Sequence, residues 1–424
     1  MLRKIYTVVF YSLIPLVLLR LAWRGLRNRG YLQRIPERFG FVSSSSAKKV
    51  IWLHAVSVGE ARATPSLVEA LRTIYKYHGV LITTMTPTGS DQVYSLYGDT
   101  VDHCYVPYDI GVAVDRFLDK KKPAIAIIME TEIWPNLYIY CQRRSIPIVI
   151  VNARLSSAST KGYKKILPLV RQTLSSVNRI GAQSRVDAEN FLSIGASNEQ
   201  IEVTGSIKFE FELSASLSEA ADSLRHQWGN NRMVWLAAST HEGEEDFVLA
   251  AYRELKHQFP ELLLVLVPRH PERFASVARL SRKTGFGVAS RSENQGPLPE
   301  DVDILIGDTM GELQLFYAAA TVAFVGGSLV NTGGHNILEP AAVGTPIVFG
   351  PYMFNFREIG AMALECGAAE QIQSPLQLAE TVKDYLSNPN KRHDAGEAGK
   401  RMVKDNRGAL ECTMKIITGV LPPD

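Results

Sequence analysis

The sequence has few cysteines and little net charge for its length of 424 residues. The four cysteines lie far apart and form no C-x-x-C pair, which argues against a disulfide or zinc framework and is typical of a reducing compartment. Lys plus Arg number 46 and Asp plus Glu number 43, so a net charge of +3 argues against a general nucleic-acid binder. Hydrophobic residues at 46% and charged residues at 21% exclude a disordered chain, a collagen-like repeat and a polytopic membrane protein.

Several common enzyme motifs are also missing. No G-x-G-x-x-G follows the first predicted strand, and the chain has no G-x-x-x-x-G-K-[ST], H-E-x-x-H or G-x-S-x-G. These absences exclude the usual dehydrogenases, P-loop NTPases, zincins and serine hydrolases. No internal repeat is found, and the length predicts two domains of roughly 150 to 200 residues each.

The positive charge is concentrated at the N-terminus. Residues 1–49 hold ten Lys or Arg and one acid, Glu37, so the rest of the chain is net acidic. Residues 5–19 are uncharged and mostly apolar, and the apolar character continues through Trp23. A membrane span needs about 20 apolar residues. Since Trp23 and several arginines follow where small cleavage-site residues would stand, we expect an uncleaved anchor.

The cations that follow the apolar run predict that the body of the protein lies in the cytoplasm, by the positive-inside rule. The alternative is a monotopic amphipathic helix or a buried helix. Pro15, in the middle of the segment, does not separate these interpretations.

Beyond a serine-rich linker, short β-branched runs alternate with helical periods. This alternation predicts a parallel sheet covered by helices on both faces, and then a second sheet of the same kind. The first set of strands is expected at 50–56, 80–84, 124–129, 146–151 and 202–205, and the second at 233–238, 262–267, 304–307, 321–326 and 346–350.

The fold class is therefore α/β, with two doubly wound Rossmann-like domains. A polar, small-residue segment places the break between them near 210–230. We assign residues 1–30 to the anchor and basic stem, 31–215 to the first domain and 216–424 to the second. The last helical stretch, roughly 390–418, could cross back to the first domain.

Polar loops after the strands are candidates for chemistry, because open parallel sheets bind ligands at the carboxyl ends of their strands. Glu60 follows Gly59 at the start of a predicted helix. Either it is an N-terminal capping charge, or a substrate approaches it over the glycine and it acts as a general base.

Two acids and a lysine are further candidates in the first domain. Glu130 and Glu132 follow an apolar strand with no nearby cation in sequence, so they either cap the next helix or belong to a site. Lys208 lies beyond the strand at 202–205, close to the domain break, where it could neutralise a phosphate.

Three loops of the second domain indicate nucleotide binding. Pro268 and Arg269 follow one strand, and Thr309, Met310 and Gly311 follow another and open a helix. The most informative is residues 326–340, in which four glycines would let the backbone approach a phosphate. Its segment of His335, Asn336, Ile337 and Leu338 is expected to form a helix N-terminus, and Glu339 to accept from ribose hydroxyls.

At these residues the sequence resembles the bacterial 3-deoxy-D-manno-octulosonic acid (Kdo) transferases of lipopolysaccharide assembly. Ten blocks match in the family's order over nearly the whole chain, whereas GGHNILEP alone would indicate only a nucleotide-sugar transferase of the two-Rossmann type. The blocks are HAVSVGE, TTMTPTGS, METEIWPN, NARLS, TGSIKF, STHEGEE, VPRHPER, GDTMGEL, FVGGSL and GGHNILEP. His54, in the first block, departs from some relatives without affecting the glutamate.

The resemblance implies a GT-B fold and an inverting transfer of Kdo from CMP-Kdo to the 6′-hydroxyl of the tetraacylated lipid A precursor, lipid IVA, at the bacterial inner membrane. It implies neither a cofactor nor a metal. Glu60 matches the catalytic base, and Glu130 and Lys208 match positions that stabilise the transition state. The positions that match the CMP site are Pro268, Arg269, Thr309, Met310, Gly311, His335, Asn336, Ile337 and Leu338.

Two other functions are weighed against this one. A UDP-sugar 2-epimerase shares the two-Rossmann architecture but would be soluble and would need no basic anchor. A membrane-tethered scaffold would bind a nucleotide sugar without catalysis.

Overall fold

The computed structural model describes residues 2–45, 47–211, 213–294 and 296–423. The chain divides into two compact units. Unit 1 is Met1–Phe211 together with Asn406–Asp424, and unit 2 is Glu212–Asp405. The C-terminal residues therefore group with unit 1 and not with the unit that precedes them in sequence.

Each unit is built on a parallel sheet, of seven strands within the described residues. In unit 1 the strand order is β3-β2-β1-β4-β5-β6-β7, and in unit 2 it is β10-β11-β9-β8-β12-β13-β14. The strands are β1 (Lys49–His54), β2 (His78–Thr84), β3 (Asp102–Tyr105), β4 (Pro123–Met129), β5 (Ile148–Ala153), β6 (Arg179–Ala182), β7 (Ile201–Val203), β8 (Val234–Thr240), β9 (Leu263–Pro268), β10 (Val288–Ser290), β11 (Ile304–Ile306), β12 (Val322–Val325), β13 (Ile347–Phe349) and β14 (Ala369–Gln371).

Helices connect the strands as parallel crossovers require. They are α1 (Leu2–Arg27), α2 (Val58–Arg62), α3 (Pro65–Ile74), α4 (Pro87–Tyr97), α5 (Gly111–Lys121), α6 (Pro135–Arg143), α7 (Ser157–Lys164), α8 (Leu167–Leu174), α9 (Arg185–Ser193), α10 (Leu217–Trp228), α11 (Glu244–Gln258), α12 (Phe274–Arg282), α13 (Leu313–Ala319), α14 (Leu338–Val343), α15 (Arg357–Glu365), α16 (Gln377–Ser387), α17 (Pro389–Asp405) and α18 (Ala409–Val420). Short 3₁₀ turns fill several of the connections.

The central strands are buried on both faces. Trp52 and Ile128 belong to the apolar cluster on one face of the unit 1 sheet, while Ile51 and Ile127 belong to the cluster on the other face, to which α18 contributes Ile417. Strands covered on both sides read as continuous apolar runs, which is why the sequence predicted them. The α/β architecture with two doubly wound sheets is confirmed.

Four short strands and one helix boundary differ from the sequence prediction. Strands β3, β6, β10 and β14 were not predicted, because they are three or four residues long and carry polar or charged residues. The helix expected from Glu60 onward begins at Val58 and is two helices, since Pro65 starts a new helix after Thr64.

Helix α1 has one apolar face against unit 1 and another that is exposed. Phe10, Ile14 and Val17 pack against a buried apolar cluster that includes Ile110, and Leu21 is also buried. The opposite face exposes Ile5, Val8, Leu16, Leu19, Trp23 and Leu26. Among the described residues, α1 is the one helix long and apolar enough to cross a membrane.

Candidate active site

The strand order of unit 1 changes direction between β1 and β4. The chain runs outward from β1 through β2 to β3 and then returns to place β4 on the other side of β1. His54, at the end of β1, pairs with Ile128, next to the end of β4. Such a switch point separates the two following loops and is where open α/β sheets bind ligands. The loops after these two strands carry Glu60 and Glu130.

Glu60 lies in the first turn of α2, where Ser57 is the N-cap. Its Oε2 accepts a hydrogen bond from the Val56 amide at 2.7 Å, and its Oε1 accepts one from the Ser57 hydroxyl at 2.8 Å. Burial raises the pKa of Glu60 to about 8; the charges of Glu130 and Glu132 contribute to this increase, and the two hydrogen bonds oppose it. The side chain is therefore held in the first turn of the helix by two hydrogen bonds and has a pKa near neutral pH.

Glu130 follows β4 in a conformation that is unusual for its residue type. Its φ is +54°, in the left-handed region that non-glycine residues seldom adopt and that clusters at functional sites. One carboxylate oxygen accepts from the Lys208 ammonium at 3.1 Å, and both side chains are about a quarter exposed. The structure therefore brings together two residues that are 78 positions apart in the sequence.

The turn that carries Lys208 is held in place by Asn152, a residue that was not predicted from the sequence. The Asn152 Oδ1 accepts from the Ser206 hydroxyl and from the Ile207 amide, both at 3.2 Å. Asn152 is fully buried at the end of β5 and has a φ of +50°, which asparagine tolerates better than most residues. An asparagine at the end of an apolar strand was the available signal.

Glu132 is oriented by aromatic side chains. Its carboxylate accepts from the Trp134 indole at 2.7 Å, and its carbonyl accepts from the Tyr138 hydroxyl at 2.6 Å. Burial raises the pKa of Glu132, and Glu130 raises it further. Unit 1 thus gathers three carboxylates and one ammonium at a single sheet edge.

His54 has a structural role beside this cluster. It is fully buried, and its Nδ1 lies 2.8 Å from the Thr83 hydroxyl. Burial lowers its pKa to about 4, so the imidazole is neutral at physiological pH.

The switch point of unit 2 lies between β8 and β12. His241 follows β8 and His335 lies in the loop after β12; their rings stack at 5.0 Å with an interplanar angle of 8°. The two Nε2 atoms are 2.8 Å apart, and His270 packs edge-on against His241 at 5.3 Å. Two hydrogen-bonded imidazoles cannot both be charged at low cost, and burial together with nearby cations lowers the pKa of His241.

The remaining predicted CMP residues line neighbouring strand ends. Pro268 is the last residue of β9, and the Arg269 amide donates to the Thr240 carbonyl at 2.9 Å. The Thr309 hydroxyl donates to the Glu312 carboxylate, which also pairs with Arg291.

Two of these predicted residues are solvent-facing. Met310 is exposed, and Gly311 has a φ of +85°, which favours glycine. The loop after β11 therefore presents an apolar side chain and a glycine turn to solvent.

Helix α14 begins where the sequence predicted a helix N-terminus, with Ile337 as its N-cap. Ile337 and Leu338 are buried, so they can offer a ligand only their backbone. The Asn336 Oδ1 accepts from the Leu338 amide at 3.0 Å, and the Asn336 amide group donates to Glu339. Because α14 spans only Leu338–Val343, its dipole is smaller than that of a longer helix.

The glycine-rich loop was expected to bring its backbone close to a phosphate, but its amides have another partner. The amides of Gly327, Ser328 and Leu329 donate to the buried carboxylate of Glu244 at 2.7 to 3.0 Å. An acid of the same unit therefore takes these three amides, and phosphate binding by the remainder of the loop stays a prediction.

No three His, Cys, Asp or Glu side chains stand close enough to hold a metal ion in the part of the chain that the structure describes.

Solved structures with the same architecture include a UDP-GlcNAc 2-epimerase from Neisseria meningitidis, with a TM-score of 0.56 and 15% identity, covering 88% of this chain and 100% of that chain. A glycosyltransferase from Rickettsia africae has a TM-score of 0.53 and 13% identity, covering 90% and 100%. Identities this low show the fold alone. Residues 222–402 match the model of group 1 glycosyl transferases. The chain is therefore a glycosyltransferase of the GT-B class.

The match of residues 33–211 is more specific, since it is to the model of 3-deoxy-D-manno-octulosonic-acid transferases. A 3-deoxy-D-manno-octulosonic acid transferase of Haemophilus influenzae is 39% identical over 98% of this chain and 98% of its own. One from Bordetella pertussis is 34% identical over 97% and 98%. The chain belongs to the family of Kdo transferases, as its motifs predicted.

Proposed function

We propose that this Kdo transferase, an enzyme of lipopolysaccharide core assembly, moves Kdo from CMP-Kdo to the 6′-hydroxyl of lipid IVA with inversion at the anomeric carbon. The observation that carries this proposal is the buried Glu60 carboxyl, with a pKa of about 8, beside the Glu130–Lys208 pair. A sugar hydroxyl is far too weak an acid to ionise at neutral pH, so its attack on an anomeric carbon needs a base within hydrogen-bond reach.

Glu60 is the general base in this proposal. A pKa near the working pH lets the carboxylate form in a useful fraction of molecules while it keeps a strong affinity for the acceptor proton. Proton transfer to Glu60 also relieves its repulsion with Glu130 and Glu132, which favours the step. Direct displacement by the activated hydroxyl accounts for the inversion.

Lys208 and Glu130 stabilise the transition state. The ammonium offers three donors, and the Glu130 carboxylate takes only one of them at 3.1 Å. The remaining donors can meet either the Kdo carboxylate or the leaving phosphate. A charge held in a partly buried site interacts more strongly with developing negative charge than it would in water.

Unit 2 binds the CMP group. Arg269 supplies a guanidinium at the end of β9, and His335 and Asn336 supply ring and amide donors at the switch point. Thr309, Met310 and Gly311 form the exposed turn after β11, which offers an apolar side chain and backbone amides to the nucleotide. Pro268, Ile337 and Leu338 would contribute through backbone atoms, since all three side chains are buried.

Unit 1 is the acceptor-side domain, and α1 anchors it to the cytoplasmic face of the bacterial inner membrane. One face of α1 packs along unit 1 through Phe10, Ile14 and Val17, so lipid would cover the opposite apolar face. The length and apolar composition of α1 are those of a membrane anchor. The basic segment would attract anionic lipid phosphates, at about 1 kcal/mol per cation.

Mass spectrometry of the lipid product tests the donor and acceptor together. Purified enzyme incubated with CMP-Kdo and lipid IVA is expected to add the mass of Kdo to the lipid and to release CMP, and NMR of the product gives the linkage and anomeric configuration. Turnover of UDP-N-acetylglucosamine without any acceptor would instead identify an epimerase. Binding of CMP-Kdo with no lipid product would favour the scaffold.

A further inference from the structure

Glu244 has an unusual set of partners for a glutamate in the first turn of a helix. Its side chain is fully buried at the start of α11. Its carboxylate accepts four backbone hydrogen bonds, from the amides of His241 at 2.9 Å, Gly327 at 2.7 Å, Ser328 at 3.0 Å and Leu329 at 2.8 Å.

These amides come from two different loops. His241 lies in the loop after β8, and Gly327 lies in the loop after β12, so one carboxylate fastens both sides of the switch point of unit 2. The fit leaves no room for a side chain at Gly326, where a Cβ would stand 2.9 Å from the Glu244 Oε2 and 2.6 Å from the Ser239 carbonyl. The absence of a side chain at Gly326 therefore leaves room for the Glu244 carboxylate.

The two loops that Glu244 joins carry the two stacked histidines. The Gly334 amide donates to the Gly327 carbonyl at 2.7 Å. His335 therefore directly follows a residue that is hydrogen-bonded to Gly327. A Cβ on Gly327 would lie 3.0 Å from the His335 ring. The His335 ring then meets the His241 ring, whose own backbone amide donates to Glu244.

We propose that Glu244 is a positioning residue of the donor site, whose carboxylate sets the separation of the two loops and thereby holds His335 in place for the nucleotide. This inference rests on the proposed role of His335 in CMP binding. A glutamine at this position would direct an NH₂ group at backbone N–H donors, so some of the four hydrogen bonds would be lost and the loops would separate.

A purely structural role has a different kinetic signature. Loss of a helix cap or of core packing reduces the fraction of active enzyme, which lowers kcat and leaves the KM for donor unchanged. Misplacement of His335 weakens donor binding, and the KM for CMP-Kdo rises while kcat changes little. The two roles are therefore separated by which kinetic constant changes.

Titration calorimetry measures the affinity for CMP, and steady-state kinetics measures KM and kcat with CMP-Kdo. Both are applied to Glu244→Gln, His335→Ala, the double variant and Glu254→Gln. Glu254 is exposed on the same helix and serves as the control. We expect Glu244→Gln to raise the Kd for CMP and the KM for CMP-Kdo about tenfold, the scale of one or two lost hydrogen bonds to a charged group. In the His335→Ala background the same substitution should add less than twofold.

Each result has a distinct meaning. If His335→Ala weakens CMP binding but Glu244→Gln does not, or if the two effects multiply, the positioning role is wrong and the donor site stands. If neither substitution changes CMP affinity, the proposed donor residue itself is wrong. Should Glu244→Gln fail to give folded protein, Glu244→Asp replaces it, since it keeps the charge but cannot reach all four amides, and the same KM criterion applies.

Discussion

The Lys208 ammonium donates to the Glu130 carboxylate at 3.1 Å, beside the buried carboxyl of Glu60. This single pair ties the turn that carries Lys208, at residues 207–209, to the end of β4. It also offsets part of the negative charge that Glu60 would otherwise face. We therefore expect the ionisation of Glu60 to depend on Lys208 as well as on Glu130.

Replacing Lys208 with Met should lower kcat by roughly 100-fold, because the transition state loses a stabilising charge. The rising limb of the pH–rate profile should also move to higher pH, because Glu130 loses its neutralising partner and repels the ionised Glu60 more strongly. Lys208→Arg should retain more activity than Lys208→Met. Initial rates of CMP release from pH 6 to pH 9.5 measure both effects. The exposed Lys161, changed to Met, is the control; an unshifted pH profile in Lys208→Met would show that the pair is not coupled to the base.

The rate should rise with pH through a midpoint of about 8, because burial and Glu130 raise the pKa of Glu60 and the base acts only when ionised. Glu132→Gln removes one repelling charge, so the midpoint should move to lower pH. The amide oxygen that this substitution introduces can still accept from Trp134, which keeps the local packing. The profile of kcat/KM for lipid IVA makes the comparison, and an identical midpoint in the variant would contradict the charge coupling.

The raised pKa of Glu60 should also make the protein less stable as the pH increases. An acid with a folded pKa of about 8 and an unfolded pKa of about 4.5 binds more protons in the native state between those values, so the free energy of unfolding falls as pH rises through that window. The side chain in Glu60→Gln does not titrate. The free energy of unfolding of this variant, relative to that of wild type, should therefore rise on the order of a few kcal/mol between pH 5 and pH 8.

Denaturant unfolding at several pH values measures that difference. The comparison uses the change with pH and not the absolute stability, because Glu60→Gln also alters the hydrogen bonds to Val56 and Ser57. A constant difference between variant and wild type across the window would show that Glu60 has an ordinary pKa.

The exposed face of α1 should determine membrane binding. Val8→Asp with Leu19→Asp places two charges on the outward apolar face, and a charge buried in lipid costs several kcal/mol. We expect flotation with vesicles of phosphatidylglycerol and phosphatidylethanolamine to fall at least tenfold. The matched control is Tyr77→Asp, which changes an equally exposed apolar residue elsewhere on unit 1. Equal flotation of both variants would exclude α1 as the anchor.

The sequence predicted the central strands and the side chains at their ends, because long apolar runs and the switch-point rule depend on local pattern and chain direction. It did not predict short edge strands such as β14, where Ala369–Gln371 carries two polar residues in three positions. Glu60 could be located as a candidate but its two interpretations could not be separated, since both place an acid in the first turn of a helix.

Contacts between residues far apart in the sequence account for the features that could not be predicted. Nothing near Glu130 in sequence indicates Lys208, and nothing near Gly327 indicates Glu244, since those contacts exist only after the sheets assemble. The glycine-rich loop shows the consequence. Its composition suits a ligand phosphate and a buried carboxylate equally well, and only the structure distinguishes them. Asn152 was missed for the same reason, because its partners lie 54 and 55 residues away.

The most direct test of the catalytic assignment compares Glu60→Gln with the exposed control Glu69→Gln, each supplied with CMP-Kdo and lipid IVA under single-turnover conditions. Loss of a general base should slow Kdo transfer by roughly 100-fold to 10,000-fold in Glu60→Gln, with CMP affinity unchanged and the control at the wild-type rate. Transfer by Glu60→Gln at the wild-type rate would contradict the assignment of Glu60 as the base.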